Sequence, residues 1–358
     1  MSKKLVVVAG GTGGHIFPGI AVADYLKEQG WQVSWIGTPD RMEADVVPKH
    51  NIEIDFINVK GVRGNGLKRL IKAPFMVLNA ILQARKVLKS QQPDVVLAMG
   101  GYVTGPTGIA AKSLGIPLVI HEQNAVAGMS NKWLAKFANR VLAAFPSAFA
   151  PGQAELVGNP VRASVANVAK RDVSIPINIL VVGGSLGAQV LNQTLPEAFN
   201  LLAKTAPIKV WHQTGKGHIE GVKSAYAKNN IADEDLKVAE FIDVMDAAYA
   251  WADIVICRAG ALTVSEIAAA GKMAVFVPFP HAVDDHQTAN AKYLVTANGA
   301  LLMPQPQFNK DSIVELLNPY LAKPILIKQM ASNAKQQAIL DATASVASHC
   351  EQVTNKRK

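Results

Sequence analysis

The stretch "AGGTGGHIFPG" (9–19) sets five glycines and one histidine between the apolar run "LVVV" and a helical pattern, "IAVADYLKEQG". Glycine backbone without side chains, next to the positive end of a helix, lets N–H groups approach an anion closely. Thr12, Gly13 and Gly14 would line such a site, and Pro18 needs no donor of its own in the first turn of a helix. Histidine ordinarily titrates near neutrality, so His15 beside a bound anion also suits proton transfer. A second turn, "GGSLGA" (183–188), repeats the arrangement with Ser185. Neither turn is a dinucleotide fingerprint: Ile16 stands where the third glycine belongs, and the second strand, "WQVSWIG", ends without an acid. Neither matches G-x-x-x-x-G-K-[ST], so dehydrogenase and P-loop chemistry are disfavoured.

Five further stretches place reactive or polar residues after apolar runs: "GGYVTGP" (100–106), "HEQNAVAG" (121–128), "GNPVR" (158–162), "CRAGALTVSEIAAAG" (257–271) and "PFPHAVDDHQTANA" (278–291). In "ALTVSE", Thr263 and Ser265 near a helix start suit a pyrophosphate, and Glu266 has the two acceptor oxygens that a pair of ribose hydroxyls needs. The competing reading is a capping box, Thr-x-x-Glu, with no ligand. Arg162 offers a planar fork to a diphosphate, or is an ordinary linker arginine. The run Asp284–Asp285–His286 invites a metal, the weaker of its readings, and Cys257 and Cys350 lack metal-ligand spacing. No metal and no cofactor is expected. For a base that takes a hydroxyl proton, His15 leads, Glu122 is the runner-up and Tyr102 lies nearby, and residue types alone do not settle that order.

Elements must bring these stretches together. Apolar runs read as strands at 5–9, 32–36, 54–57, 94–98, 117–121 and 140–144, then at 177–182, 208–212, 236–239, 253–257, 273–277 and 299–302. Many are continuous Val/Ile/Leu, as in parallel strands covered on both faces, and helical patterns separate them. This predicts an α/β fold of two doubly wound parallel sheets. "VVVAGGTGGH" (6–15) and "ILVVGGSLGA" (179–188) echo each other at an offset of 173 residues, so each half opens with the same unit. The expected domains are 1–160 and 161–336, with a final helix from about 337 that could return to the first. All seven stretches fall at carboxyl ends of strands, where open α/β sheets bind ligands.

The chain has 358 residues, 49% hydrophobic and 18% charged, which suits two soluble domains, and two cysteines fit a reducing, cytoplasmic setting. The basic start is too short for a signal peptide, and no run approaches the roughly eighteen apolar residues of a span. The net charge of +9 is concentrated: between Phe56 and Pro93 lie eight basic residues and no acid, around the apolar cluster "PFMVLNAIL" (74–82). Cations beside apolar surface suit an anionic membrane, through Lys68, Arg69, Lys72, Phe75, Met76 and Leu78. Nucleic acid is disfavoured, since aromatics are 6% and no stacking motif accompanies the charge.

Taken together and in this order, the seven stretches closely resemble the MurG family, the peripheral membrane N-acetylglucosaminyltransferases of bacterial peptidoglycan synthesis, over essentially the whole chain. The resemblance implies the GT-B architecture, two Rossmann-like domains facing a central cleft. It implies transfer of N-acetylglucosamine from UDP-GlcNAc to the C4 hydroxyl of undecaprenyl-diphosphate-linked MurNAc-pentapeptide (lipid I), giving lipid II with inversion. On the same ground Ser185, Ile242, Ala261, Leu262, Thr263, Val264, Ser265, Glu266 and Gln287 would contact UDP-GlcNAc, joined by Asn124, Arg162 and the turn residues Thr12, Gly13 and Gly14. The first glycine turn would hold the acceptor's diphosphate. The implied location is peripheral, on the cytoplasmic face of the inner membrane, with cell-wall synthesis proteins as candidate partners. Two alternatives stand beside it: another GT-B UDP-sugar transferase acting on a membrane lipid such as diacylglycerol, and a non-catalytic nucleotide-sugar-binding subunit.

Overall fold

The computed structural model describes residues 2–59, 67–169, 171–184, 186–282 and 285–355, with backbone only for 67–72. It divides into two compact units, Met1–Arg162 with Ile339–Lys358, and Ala163–Ala338.

The first unit carries strands β1 (Lys4–Ala9), β2 (Gln32–Gly37), β3 (Glu53–Phe56), β4 (Val95–Gly100), β5 (Leu118–Glu122), β6 (Arg140–Ala143) and β7 (Glu155–Leu156). They form one sheet in the order β3-β2-β1-β4-β5-β6-β7, every pair parallel. The second unit carries β8 (Ile177–Val182), β9 (Ile208–Gln213), β10 (Leu236–Ala239), β11 (Ile254–Cys257), β12 (Met273–Phe276) and β13 (Ala300–Leu302), ordered β10-β9-β8-β11-β12-β13 and again all parallel. All twelve strands read from the sequence are present, with ends within two residues. Only β7 has no counterpart among them; at two exposed residues it carries no apolar run.

Burial explains the strand composition. Successive side chains point to opposite faces, and both faces here are covered. Leu5, Val7 and Ala9 of β1 pack with Ile16, Ile20 and Ala23 of the helix Gly13–Glu28 and with Val346, Cys350 and Val353 of the C-terminal helix Ala342–Asn355. Val6 and Val8 face Ala84 and Leu88 of the helix Leu67–Gln91 and Ala110 and Ala111 of the helix Thr104–Ser113. The C-terminal helix therefore completes the first unit's core, and Lys3 pairs with Glu351 at 3.0 Å at its edge. In the second unit, Ile177, Ile179 and Val181 of β8 meet Leu191, Leu195, Phe199 and Leu202 of the helix Gln189–Ala203.

In both sheets strand order reverses at one place, between β1 and β4 and between β8 and β11. There the connections after the two strands leave on opposite faces, opening a crevice at their carboxyl ends. Both glycine turns, "GGYVTGP" and "CRAGALTVSE" follow those four strands.

Candidate active site

In the first unit the turn after β1 is built against the turn after β4. Gly10 N–H donates to Gly100 O at 3.3 Å, and the chain turns through Gly100 and Gly101 at φ +125° and +88°. A Cβ on Gly101 would lie 2.3 Å from Gly10 O, and one on Gly100 would lie 2.6 Å from His15 Nδ1. Glycine is required at both positions, by conformation and by space. The other side of the turn is held by Glu43, a buried carboxylate that accepts from Gly11 N–H at 3.0 Å and from the N–H and hydroxyl of Thr38 at 3.0 and 2.6 Å. Thr12 is the extended N-cap of the helix Gly13–Glu28 and makes no side-chain cap bond; it is exposed, and Gly13, Gly14 and His15 are half-buried behind it.

His15 is held from β5. Its Nδ1 lies 2.7 Å from Gln123 Oε1, Gln123 Nε2 lies 3.0 Å from His121 Nδ1, and His121 Nε2 lies 2.9 Å from Gly158 O. His121 is fully buried, which pushes it down to about 4 against a weaker upward pull from the Gly158 carbonyl and Glu122. Glu122 has a different environment. Oε1 accepts from the N–H and amide of Asn124 at 3.0 and 3.2 Å, and Oε2 accepts from Gly128 N–H and Asn131 Nδ2 at 3.0 and 2.9 Å. Its four acceptor positions are thus directed into the loop that it closes. Tyr102 is exposed at the end of "GGY".

In the second unit Gln213, at the end of β9, stitches the glycine turn: Oε1 accepts from Gly184 N–H at 2.9 Å, and Nε2 donates to Gly184 O and Glu240 O at 2.9 and 2.7 Å. Ser185 lies outside the described residues, and Ile242 is buried. The helix Ala261–Ala270 begins at the extended N-cap Gly260, with no side-chain cap, and ends at Gly271 in the left-handed region. Thr263 is therefore already helical, and the capping-box alternative does not form. Ala261 and Val264 are buried, while Leu262 and Thr263 are half-buried. Ser265 donates its hydroxyl to Ala261 O at 3.1 Å, so the helix itself uses that proton. Glu266 is buried and accepts from the Tyr249 hydroxyl at 3.1 Å.

Around this helix start, Asn290 donates to Ala259 O at 3.2 Å, and Arg258 donates to Val277 O and Pro278 O at 2.9 and 3.2 Å with Phe279 below its guanidinium. Gln287 Oε1 accepts from Phe279 N–H at 2.9 Å, which leaves its NH2 end as the donor. Asp285, at φ +49°, accepts from the Thr288 hydroxyl at 2.7 Å, and Asp284 lies outside the described residues. Among the described residues no three His, Cys, Asp or Glu side chains are grouped to hold a metal ion. Arg162, exposed, ends the first stretch of the amino-terminal unit.

On the helix Leu67–Gln91, Ala80, Ala84 and Leu88 face the sheet, while Phe75, Leu78 and Leu82 are 74, 54 and 57% exposed at i, i+3, i+7 spacing. Met76 is half-buried, and the side chains of Lys68, Arg69 and Lys72 lie outside the described residues. No described helix is long and apolar enough to cross a membrane.

Residues 5–143 match the glycosyltransferase family 28 N-terminal domain, and 178–346 match its C-terminal domain. The chain belongs to glycosyltransferase family 28. Within that family it is 85% identical, over the full length of both, to the UDP-N-acetylglucosamine–N-acetylmuramyl-(pentapeptide) pyrophosphoryl-undecaprenol N-acetylglucosamine transferase of Pseudoalteromonas translucida. It is 54% identical to the Aeromonas hydrophila protein of the same name, covering 99% of this chain and 98% of that one. Among solved structures, Acinetobacter baumannii MurG is 42% identical with a TM-score of 0.85, covering 98% and 99% of the two chains. The calicheamicin glycosyltransferase CalG4 shares the fold, at 15% identity and a TM-score of 0.72 over the full length of both. The family 28 chain is thus a MurG-type GT-B protein, two parallel-sheet Rossmann-like domains.

Several residues that shape these sites escape a reading of the sequence. His121 and Gln123 lie inside the quoted "HEQNAVAG", where a run of four polar residues at a strand end is the available signal. Glu43, Gln213 and Tyr249 carry no local signal, because each acts on a residue distant in the chain.

Proposed function

We propose that the chain transfers N-acetylglucosamine from UDP-GlcNAc to the C4 hydroxyl of the muramoyl-pentapeptide of lipid I, forming lipid II with inversion. The observation that carries this reading is its 85% identity, end to end, to a protein named for that transfer. The acceptor oxygen attacks the anomeric carbon, the carbon–oxygen bond to UDP breaks, and its electron pair leaves on the diphosphate. His15 takes the hydroxyl proton. Glu122, with its acceptor positions directed into its own loop, acts as scaffold for Asn124 rather than as base. The first glycine turn takes the acceptor's diphosphate on the start of the helix Gly13–Glu28.

The sugar nucleotide belongs to the second unit. The uncapped start of the helix Ala261–Ala270 offers donors and positive potential to the UDP diphosphate. Glu266, oriented by Tyr249, accepts from the ribose, Ile242 packs on uracil, and Gln287 donates to the sugar. The exposed stripe Phe75–Leu78–Leu82 with Lys68, Arg69 and Lys72 seats the enzyme on an anionic membrane, at the cytoplasmic face where a bilayer-held acceptor is presented.

UDP release measured with lipid I, with a lipid-free muramoyl acceptor and with no acceptor tests the reading. Release should require a muramoyl acceptor, and His15→Ala should lower kcat by about 10²–10⁴-fold while UDP-GlcNAc affinity stays unchanged. Release indifferent to every muramoyl acceptor overturns it.

A further inference from the structure

The direction of each hydrogen bond around His15 follows from two backbone oxygens that can only accept. Gln123 Nε2 lies 3.2 Å from His121 O and 3.0 Å from His121 Nδ1. A carbonyl never donates, so this end of the amide is the NH2, and its two hydrogens serve these two acceptors. His121 Nδ1 therefore carries a lone pair. Its other nitrogen, 2.9 Å from Gly158 O, must carry the hydrogen. The oxygen of Gln123 then faces His15 Nδ1 at 2.7 Å, and because an amide oxygen only accepts, His15 Nδ1 is protonated. A neutral His15 is left with its lone pair on Nε2.

We propose that His121 and Gln123 are positioning residues that lock His15 in its Nδ1–H tautomer, so that Nε2 is the basic atom presented to the acceptor hydroxyl. This rests on the reading in which His15 takes that proton. Tautomer selection through the second ring nitrogen is how buried partners commonly ready a histidine. Both positioning residues are buried, and space holds the ring as well, since a single carbon on Gly100 would meet it at 2.6 Å. Burial keeps His121 neutral down to about 4, so it does not gain a second proton that would reverse the chain. Nor does the chain conduct protons. When Nε2 takes the hydroxyl proton, the Nδ1–H bond to Gln123 becomes charge-assisted and strengthens. The proton later leaves Nε2 for water, and the same tautomer is restored.

Ring ¹⁵N–¹H correlation spectra of the full chain, labelled at its eight histidines, read this directly. His15→Gln and His121→Asn assign the two rings by loss of signal. His15 should show a protonated Nδ1 and a bare Nε2, and His121 the reverse; the opposite pattern at either ring overturns the proposal. In turnover, Gln123→Leu and His121→Leu should lower kcat roughly tenfold or more, short of the loss of the base itself, with KM for UDP-GlcNAc unchanged. His121→Asn places an accepting oxygen where Nδ1 stood and should recover most of that loss, which a purely structural role would not give. Should Gln123→Leu not fold, Gln123→Met, close in volume, replaces it. Wild-type kcat in the Gln123 variant beside an impaired His15→Ala defeats this proposal alone. Wild-type kcat in His15→Ala defeats both it and the assignment of His15 as base.

Discussion

Acidification is the perturbation whose effect can be worked out from the structure. His121 is fully buried, neutral and held down to about 4, whereas in the unfolded chain it titrates at its ordinary 6.5. Between those values the unfolded state binds a proton that the folded state does not, so stability is fully present above about 6.5 and falls as pH drops towards 4. One pKa unit corresponds to about 1.4 kcal/mol. The full cost is then about 3 kcal/mol, of which about 2 kcal/mol is already lost at about pH 5. The second unit holds a counterpart. His212 lies between the Tyr226 hydroxyl at 2.8 Å and Asn192 Oδ1 at 3.0 Å, and burial pushes it down to about 3. It too loses about 2 kcal/mol by about pH 5, where it is still neutral when folded.

Native-state hydrogen exchange, corrected for intrinsic rates, separates the two units because β5 and β9 report different cores. Opening free energies of both strands should fall between about pH 7.5 and about pH 5. His121→Asn should flatten the response of β5 by about 2 kcal/mol and leave that of β9 intact, whatever it does to stability at the higher pH. Equal pH responses of β5 in the wild type and the variant would refute the reasoning, since they would mean that His121 is not a buried neutral group.

Gly100→Ala puts a carbon 2.6 Å from His15 Nδ1 at φ +125°, and should cost about 1–3 kcal/mol in guanidinium unfolding and lower kcat without weakening UDP-GlcNAc binding in calorimetry. Tyr249→Phe withdraws the 3.1 Å donor that orients Glu266, and should weaken UDP binding about 2- to 10-fold while leaving vesicle binding unchanged; an unaltered Kd would detach that carboxylate from the nucleotide. Neutralising Lys68, Arg69 and Lys72 should weaken sedimentation with anionic vesicles by on the order of 1 kcal/mol per residue, reversibly with salt, and leave the far-UV spectrum unchanged. Sedimentation that stays the same would remove the docking role.

Local sequence is enough to determine the layered framework. A strand buried on both faces must be a continuous Val/Ile/Leu run, a helix on it must show a 3.6-residue period, and glycine must punctuate a turn that approaches a neighbouring chain. These signals lie within some ten residues, so twelve strands, both glycine turns and the two α/β halves are legible in the order of residues alone. Two-residue β7 is not, having no apolar run to announce it. Tertiary structure decides what each reactive side chain becomes. Glu122 and His15 both read as bases. Only the folded loop shows the carboxylate bonded to Asn124, Gly128 and Asn131, and the imidazole bonded to Gln123, 108 positions away. Thr263 and Ser265 read as pyrophosphate ligands, or Thr263 with Glu266 as a capping box, until the helix start at Gly260 places Thr263 and Ser265 inside the first turns. Glu43 and Tyr249 act on residues 32 and 17 positions away. The reason is physical: propensity and periodicity are properties of neighbours along the chain, whereas a hydrogen bond depends on which strands the sheet order sets side by side.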